Sequence, residues 1–346
     1  MLEPFNPHLL STYDYKLPEE LIASKPIYPR DKSRLLVIDR AKQTLEELRF
    51  EELADLLKAE DELVFNDTKV IPARIYGKKT TGAAIELLLT RFRQDSQWEC
   101  LARPGKKLPP GTLVEIGPGF AALIIEDLEG GGKLVQFQYE GDFEAYLKQY
   151  GEIPLPHYMK RSAVHEDQQD YQTVYAKNPG ASAAPTAGLH FTVELLEQLK
   201  QKRVKQTTLT LHTGVGTFKP VKVDDIREHQ MHTEQFFITE EAAKQLNQRT
   251  GHTQICVGTT TCRALESSAD ERGVIHAGEY DTNIFIYPGY KFKYVNKLLT
   301  NFHFPKSTLL MLVCAFGGYE LIMEAYAKAV KERFRFYSYG DAMLIL

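Results

Sequence analysis

Between Lys69 and Gln138 the chain breaks into six short runs rich in alternating apolar residues: Lys69 to Tyr76, Ala83 to Arg93, Gln97 to Ala102, Thr112 to Ile116, Ala121 to Glu126 and Lys133 to Gln138. The breaks include Pro109-Pro110-Gly111, Pro118-Gly119 and Gly130-Gly131-Gly132, which favour turns because proline fixes one backbone dihedral and glycine tolerates positive φ. Strands this short and evenly spaced, with little helix, predict a small antiparallel β-barrel, closed or nearly so. A proline-rich connector, Gly151 to His157, marks its end. On both sides the texture is mixed α/β, and 346 residues suits two units. The expected fold is an α/β (mixed α+β) body, residues 1–68 and 151–346, with a barrel domain inserted at 69–150.

The body carries several polar loops at the ends of apolar runs. Glu62 to Phe65 reads as a strand and stops at Asn66-Asp67-Thr68, residues whose side chains bond nearby backbone. Pro185-Thr186-Ala187-Gly188-Leu189-His190-Phe191 is a tight loop followed by helical spacing from Thr192 to Lys200. An alternating run then ends in His212-Thr213-Gly214-Val215-Gly216-Thr217-Phe218. The buried-strand pattern Gln254 to Gly258 enters Thr259-Thr260-Thr261-Cys262-Arg263-Ala264-Leu265-Glu266, where a helix start can hold an anion and Arg263 and Glu266 share a face. Asn283 to Tyr290 predicts another strand and turn. Asn301-Phe302-His303-Phe304-Pro305-Lys306-Ser307 precedes an apolar helix from Thr308 to Phe316, and Phe334 to Ile345 alternates as a strand, turns and ends apolar.

Several chemistries are excluded or weak. Gly214-Val215-Gly216-Thr217 lacks the third glycine of a dinucleotide fingerprint, and neither a Walker lysine loop nor a G-x-S-x-G occurs. His229, His232 and Glu234 fit no zinc spacing well, so no metal is expected. Four scattered cysteines form no C-x-x-C and read as buried thiols of a reducing compartment. The net charge of -4 argues against a protein that coats nucleic acid but leaves room for local basic turns such as Arg103-Pro104-Gly105-Lys106-Lys107. No apolar run approaches a membrane span, and Met1 to Pro7 has no signal-peptide pattern. A cytoplasmic monomer is expected. What remains is a group of loops holding His190, His212, His232 and His303 among hydroxyls and glycines, which suits proton transfer on a nucleotide-like ligand.

The motifs Asn66 to Arg74, Ala184 to Phe191, Leu211 to Phe218, Thr300 to Met311 and Tyr337 to Met343 together resemble the S-adenosylmethionine:tRNA ribosyltransferase-isomerase family, from about Tyr13 onward. Thr213 stands where that family often carries valine, and Phe304 where it often carries leucine. The resemblance implies an α/β body with an inserted β-barrel. It also implies a reaction: the ribosyl part of S-adenosylmethionine passes to 7-aminomethyl-7-deazaguanine at the tRNA wobble position, giving epoxyqueuosine and releasing adenine and methionine. S-adenosylmethionine is then a substrate, and no cofactor is expected.

A sulfonium acidifies the adjacent ribose carbon, so a base must take a proton there. His190 or His212 are the candidates, with Asp67 and Glu266 as alternatives. Gly214 and Gly216 would admit the adenosine, and Thr259, Thr260 and Arg263 would hold the methionine carboxylate. Thr186, Gly188, Thr217, Asn301, His303 and Asp341 are further substrate contacts, and Tyr339 or Phe191 would stack on the base. Arg74, Arg103, Lys106 and Lys306 are candidates for tRNA phosphate. Two readings compete: a non-catalytic RNA-binding module, and a tRNA methyltransferase using the same donor.

Overall fold

A computed structural model describes residues 6–214, 221–248 and 253–346. A hairpin of β1 (Arg34–Asp39) and β2 (Thr44–Arg49) comes first, then the short helix α1 (Leu53–Leu56) and strands β3 (Glu62–Asn66) and β4 (Thr68–Val70). The barrel follows as β5 (Arg74–Lys79), β6 (Ala84–Phe92), β7 (Gln97–Arg103), β8 (Leu113–Gly117), β9 (Phe120–Asp127) and β10 (Gly132–Gln138). Helix α2 (Phe143–Tyr150) and β11 (Gly151–Glu152) lead back to the body. The body continues with α3 (Asp167–Asp170), β12 (Asn178–Ala181), α4 (Val193–Gln201), β13 (Lys205–His212), β14 (Glu234–Ile238), α5 (Glu240–Leu246), β15 (Gln254–Val257) and α6 (Thr259–Ser268). It ends with β16 (Gly278–Thr282), β17 (Leu298–Asn301), α7 (Thr308–Gly317), α8 (Tyr319–Lys331) and β18 (Ala342–Ile345).

The barrel runs β5-β6-β7-β10-β9-β8 and closes where Lys78 and Lys79 of β5 pair with Glu115 and Val114 of β8. Alternate residues fill it: Ile85, Leu87 and Leu89 from β6, Trp98 and Cys100 from β7, Val135 and Phe137 from β10. This is the period of 2 that the sequence shows. Phe143, Tyr146 and Tyr150 of α2 plug one end against Phe120. Gly117 is needed there, because a Cβ would stand 2.4 Å from the Tyr150 ring.

The body is a nine-stranded sheet ordered β16-β14-β13-β3-β15-β17-β18-β1-β2. Its centre is parallel, β13, β3, β15 and β17 all running the same way. Such strands are covered on both faces, hence the fully buried β3, β17 and β18. One face packs beneath α5 to α8, through Leu246, Leu265, Leu310 and Ile322. The other packs beneath α1 and α4, through Leu53, Leu195 and Leu199.

Three expectations change. The run Lys69 to Tyr76 divides, because Thr68–Val70 pairs with Asn178–Ala181 in the body and only Arg74 onward joins the barrel. Asn283 to Tyr287 is irregular. The strand lies just before it at Gly278–Thr282, and the Thr282 hydroxyl turns the chain by accepting from Ile284 N–H at 3.2 Å. Phe334 to Tyr339 makes a single bridge, Phe336 to Ile22, before β18 begins.

Candidate active site

Because β3, β13, β15 and β17 are parallel, their carboxyl ends lie along one edge of the sheet. That edge collects the polar loops: Asn66-Asp67-Thr68, His212-Thr213-Gly214, Gly258-Thr259-Thr260 and Asn301-Phe302-His303. Crevices at this edge are where α/β sheets bind ligands. A cavity of about 280 Å³ opens here, lined by Pro185, Thr186 and Ala187, by Thr213, by Gly258, Thr259 and Thr260, by Thr300 to Ser307, and by Tyr158, Tyr337 and Ser338.

Three features give the cavity its chemistry. The first is the start of α6, whose preceding residue Gly258 has φ 95°; among the described residues no side chain caps its first amides, which lie beside the cavity. The second is an aromatic wall. Phe304 stacks on Tyr337 with centroids 3.5 Å apart, and Tyr158 meets both edge-on at 5.2 and 4.9 Å. Tyr337 holds its place in a left-handed backbone at φ 73°. The third is a pair of buried polar atoms, Asn301 Oδ1 and Thr213 Oγ1, that have no hydrogen-bond partner among the described residues. Asn301 spends its amide on the Tyr337 carbonyl at 2.9 Å and His190 Nε2 at 3.2 Å.

Thr213 also stands beside a second cavity. Gly214 and His212 line a cleft of about 650 Å³ between body and barrel, facing Arg91 and Phe92 of β6, Arg93 just after it, and Glu99 of β7.

The sequence matches the family described as "Queuosine biosynthesis protein" over residues 10–345. Relatives named S-adenosylmethionine:tRNA ribosyltransferase-isomerase include one from Symbiobacterium thermophilum, 49% identical over 97% of this chain and 99% of its own, and one from Pelotomaculum thermopropionicum, 50% identical over the same shares. The crystal structure of the S-adenosylmethionine tRNA ribosyltransferase from Thermotoga maritima aligns with a TM-score of 0.56 at 38% identity, covering 97% of this chain and 100% of that one. The chain belongs to the S-adenosylmethionine:tRNA ribosyltransferase-isomerase family.

Within this family frame the expected site residues separate. Thr186, Thr259, Thr260, Asn301, His303 and Lys306 share the first cavity. His212 and Gly214 line the cleft instead, and His212 Nδ1 lies 2.8 Å from Thr68 Oγ1. Gly216 and Thr217 lie outside the described residues.

The others are held in the framework. His190 is buried, with Nδ1 2.7 Å from Ser33 Oγ and its ring stacked on Phe50, and burial pushes its pKa down to about 3. Asp67 accepts from Thr210 at 2.6 Å and Asn178 at 3.0 Å. Glu266 accepts from Tyr290 O–H and from the backbone N–H groups of Lys293, Tyr294 and Val295, and so staples that loop to α6. Arg263 points away from the helix start to pair with Glu234 at 2.5 Å. Asp341 accepts from the N–H groups of Arg34 and Arg335. Tyr339 donates to Asp167, Phe191 packs in the core, and Gly188 fits beneath Tyr175, whose hydroxyl would be 1.9 Å from a Cβ.

Of the basic candidates, Arg103 and Lys106 are exposed on the barrel, Lys306 pairs with Asp14 at the cavity rim, and Arg74 is buried with its guanidinium donating to the Leu155 carbonyl. Among the described residues no three His, Cys, Asp or Glu side chains converge as a metal site. Glu234 pairs with Arg263, and the His229 ring packs edge-on against Phe285. No single described helix is long and apolar enough to cross a membrane. Sequence reasoning missed Tyr158, Phe304, Tyr337 and Ser338 as cavity walls. The positions of Phe304, Tyr337 and Ser338 inside motif runs hinted at three of them; Tyr158 lay in no motif run.

Proposed function

We propose that this protein transfers and isomerises the ribosyl group of S-adenosylmethionine onto 7-aminomethyl-7-deazaguanine at the wobble position of tRNA, with release of adenine and methionine. The observation that carries this reading is the strand-end cavity, which joins an aromatic wall to a helix start with no side-chain cap among the described residues. The amides at Thr259 and Thr260 would bind the methionine carboxylate, since the start of a helix carries partial positive charge. The wall of Tyr158, Phe304 and Tyr337 offers flat apolar surface for adenine and aromatic electron density for the sulfonium. The Asn301 and Thr213 side chains add polar groups to that lining.

Residues 1–68 and 151–346 would form the donor-binding body and 69–150 the insert. The insert's exposed Arg103 and Lys106 would meet tRNA phosphate, and the cleft beside Gly214 would bring the acceptor to the donor. An unpaired wobble base needs little unstacking to enter it. A cytoplasmic monomer fits the near-neutral charge balance and four buried free thiols.

The test is incubation with S-adenosylmethionine and precursor tRNA. Adenine and methionine should appear in step with modified tRNA. Release of S-adenosylhomocysteine would instead mark a methyltransferase, and tRNA binding without turnover a binding module. Charge reversal at Arg103 and Lys106 should flatten the salt dependence of tRNA binding by a slope of about 1 to 2.

A further inference from the structure

The first chemical demand of this reaction is a base next to the donor's ribose. Among the described residues, the titratable groups lining the cavity are Tyr158, His303, Lys306 and Tyr337, and no carboxylate is among them. Lys306 is exposed and engaged by Asp14 at 2.7 Å. Burial pushes the Tyr158 phenol up to about 12 and the Tyr337 phenol higher still, so both stay protonated and are poor bases.

His303 is left. It is clamped at three points: its N–H meets Tyr326 Oη at 2.9 Å, its carbonyl accepts from Tyr15 O–H at 2.5 Å, and its ring Nε2 lies 3.0 Å from Thr300 Oγ1. Nδ1 has no hydrogen bond among the described residues, and the His303 side chain lines the cavity. His190, by contrast, has both ring nitrogens engaged, by Ser33 and Asn301.

We propose that His303 Nδ1 is the proton-transfer atom of the reaction, its orientation fixed by an Nε2–H bond donated to Thr300. This rests on the reading that the cavity holds S-adenosylmethionine. The bond between the ribose carbon beside the sulfonium and its hydrogen breaks. The electron pair stays on carbon, where the sulfonium stabilises it, and the proton passes to Nδ1. When the glycosidic bond later breaks, the pair held on carbon moves into a double bond to the next ring carbon, that carbon's bond to the ring oxygen breaks, and the oxygen forms a carbonyl at the carbon that carried adenine. Adenine leaves with the glycosidic pair and takes a proton from Nδ1, so the imidazole returns to neutral. No oxidant or further reactant is needed. Burial pushes the His303 pKa down to about 3, so the ring is neutral and Nδ1 carries no proton at working pH.

The experiment compares His303→Asn and Thr300→Val with the native protein in three measurements. These are single-turnover rate at saturating donor and tRNA, donor Kd, and loss of deuterium to water from donor labelled at the carbon beside the sulfonium. In the native protein the label should wash out. In His303→Asn the rate should fall by about 100-fold or more, the usual share of a general base, with washout abolished and Kd within about threefold. Thr300→Val should keep Kd and lose about tenfold in rate. A His303→Asn rate or washout within about threefold of native overturns the assignment. If that variant does not fold, Thr300→Val at the native rate overturns it instead. Thr259→Arg, which fills the cavity mouth, separates the two layers. Unchanged donor Kd there sinks the donor-site reading itself, whereas a weakened Kd with normal His303→Asn turnover sinks only the base.

Discussion

At the scale of single residues, burial decides which polar groups work and which hold the frame. His190 and His303 are both buried histidines held near pKa 3, well below the ordinary value of about 6.5. Between those values the unfolded chain binds more protons than the folded one, so stability rises with pH across that window. The contribution is complete above about pH 6.5 and is lost as pH falls toward 3, at up to about 1.4 kcal/mol per pH unit for each ring. Urea unfolding of His190→Gln between pH 4.5 and 6.5 should show a slope shallower than native by about that amount. His190→Ala at neutral pH should cost about 2–4 kcal/mol, because it empties a packed site and strands Ser33 and Asn301, and this would be read from the urea midpoint.

A polar residue beside glycine looks the same in sequence whether it faces a ligand or a backbone amide. Glu266 and Asp341 show the difference: both fall in motif-like runs, and both are consumed by N–H groups that come from distant segments. His303 was legible only as one histidine among four, since what distinguishes it is the cavity wall around it.

At the scale of elements, period and punctuation were readable. The barrel strands alternate and are cut by Pro and Gly, so their existence follows from the sequence alone. The parallel body strands read as short apolar runs for the equally physical reason that both their faces are covered. The aromatic wall was not readable, because Tyr158, Phe304 and Tyr337 come from three segments and only the fold brings their rings together. The helix start at Thr259 depends on the turn before it. Gly258 has φ 95° and open space where a Cβ would go, the nearest atom being 3.6 Å away, so a substitution meets backbone strain and no clash. Gly258→Ala should therefore cost about 1–2 kcal/mol in unfolding experiments. Tilting the first amides of α6, it should also weaken donor binding by calorimetry several-fold.

At the scale of the whole molecule, the barrel reaches the body across the cleft through Arg91, which makes two 2.9 Å bonds to Asp281, a residue 190 positions away. Nothing local in the sequence marks that contact or the cleft it borders. The same holds for sheet order, in which β18 lies between β17 and β1 and, among the described residues, is the link that joins the β1–β2 hairpin to the other six strands. A chain stopped after Gly340 should accordingly lose most of its soluble yield, as measured by the soluble fraction after expression, because β1 and β17 would then present open apolar edges.

That placement also sets a clock on synthesis. Leu35 to Ile38 leave the ribosome roughly 300 residues before the strand that covers their edge, which at 5–20 residues per second is about 15–60 s. Throughout that interval the nascent protein carries a hydrophobic strand with one edge open, so holding that edge apart from its neighbours is a task for the cell's chaperones before it is a matter of the finished fold.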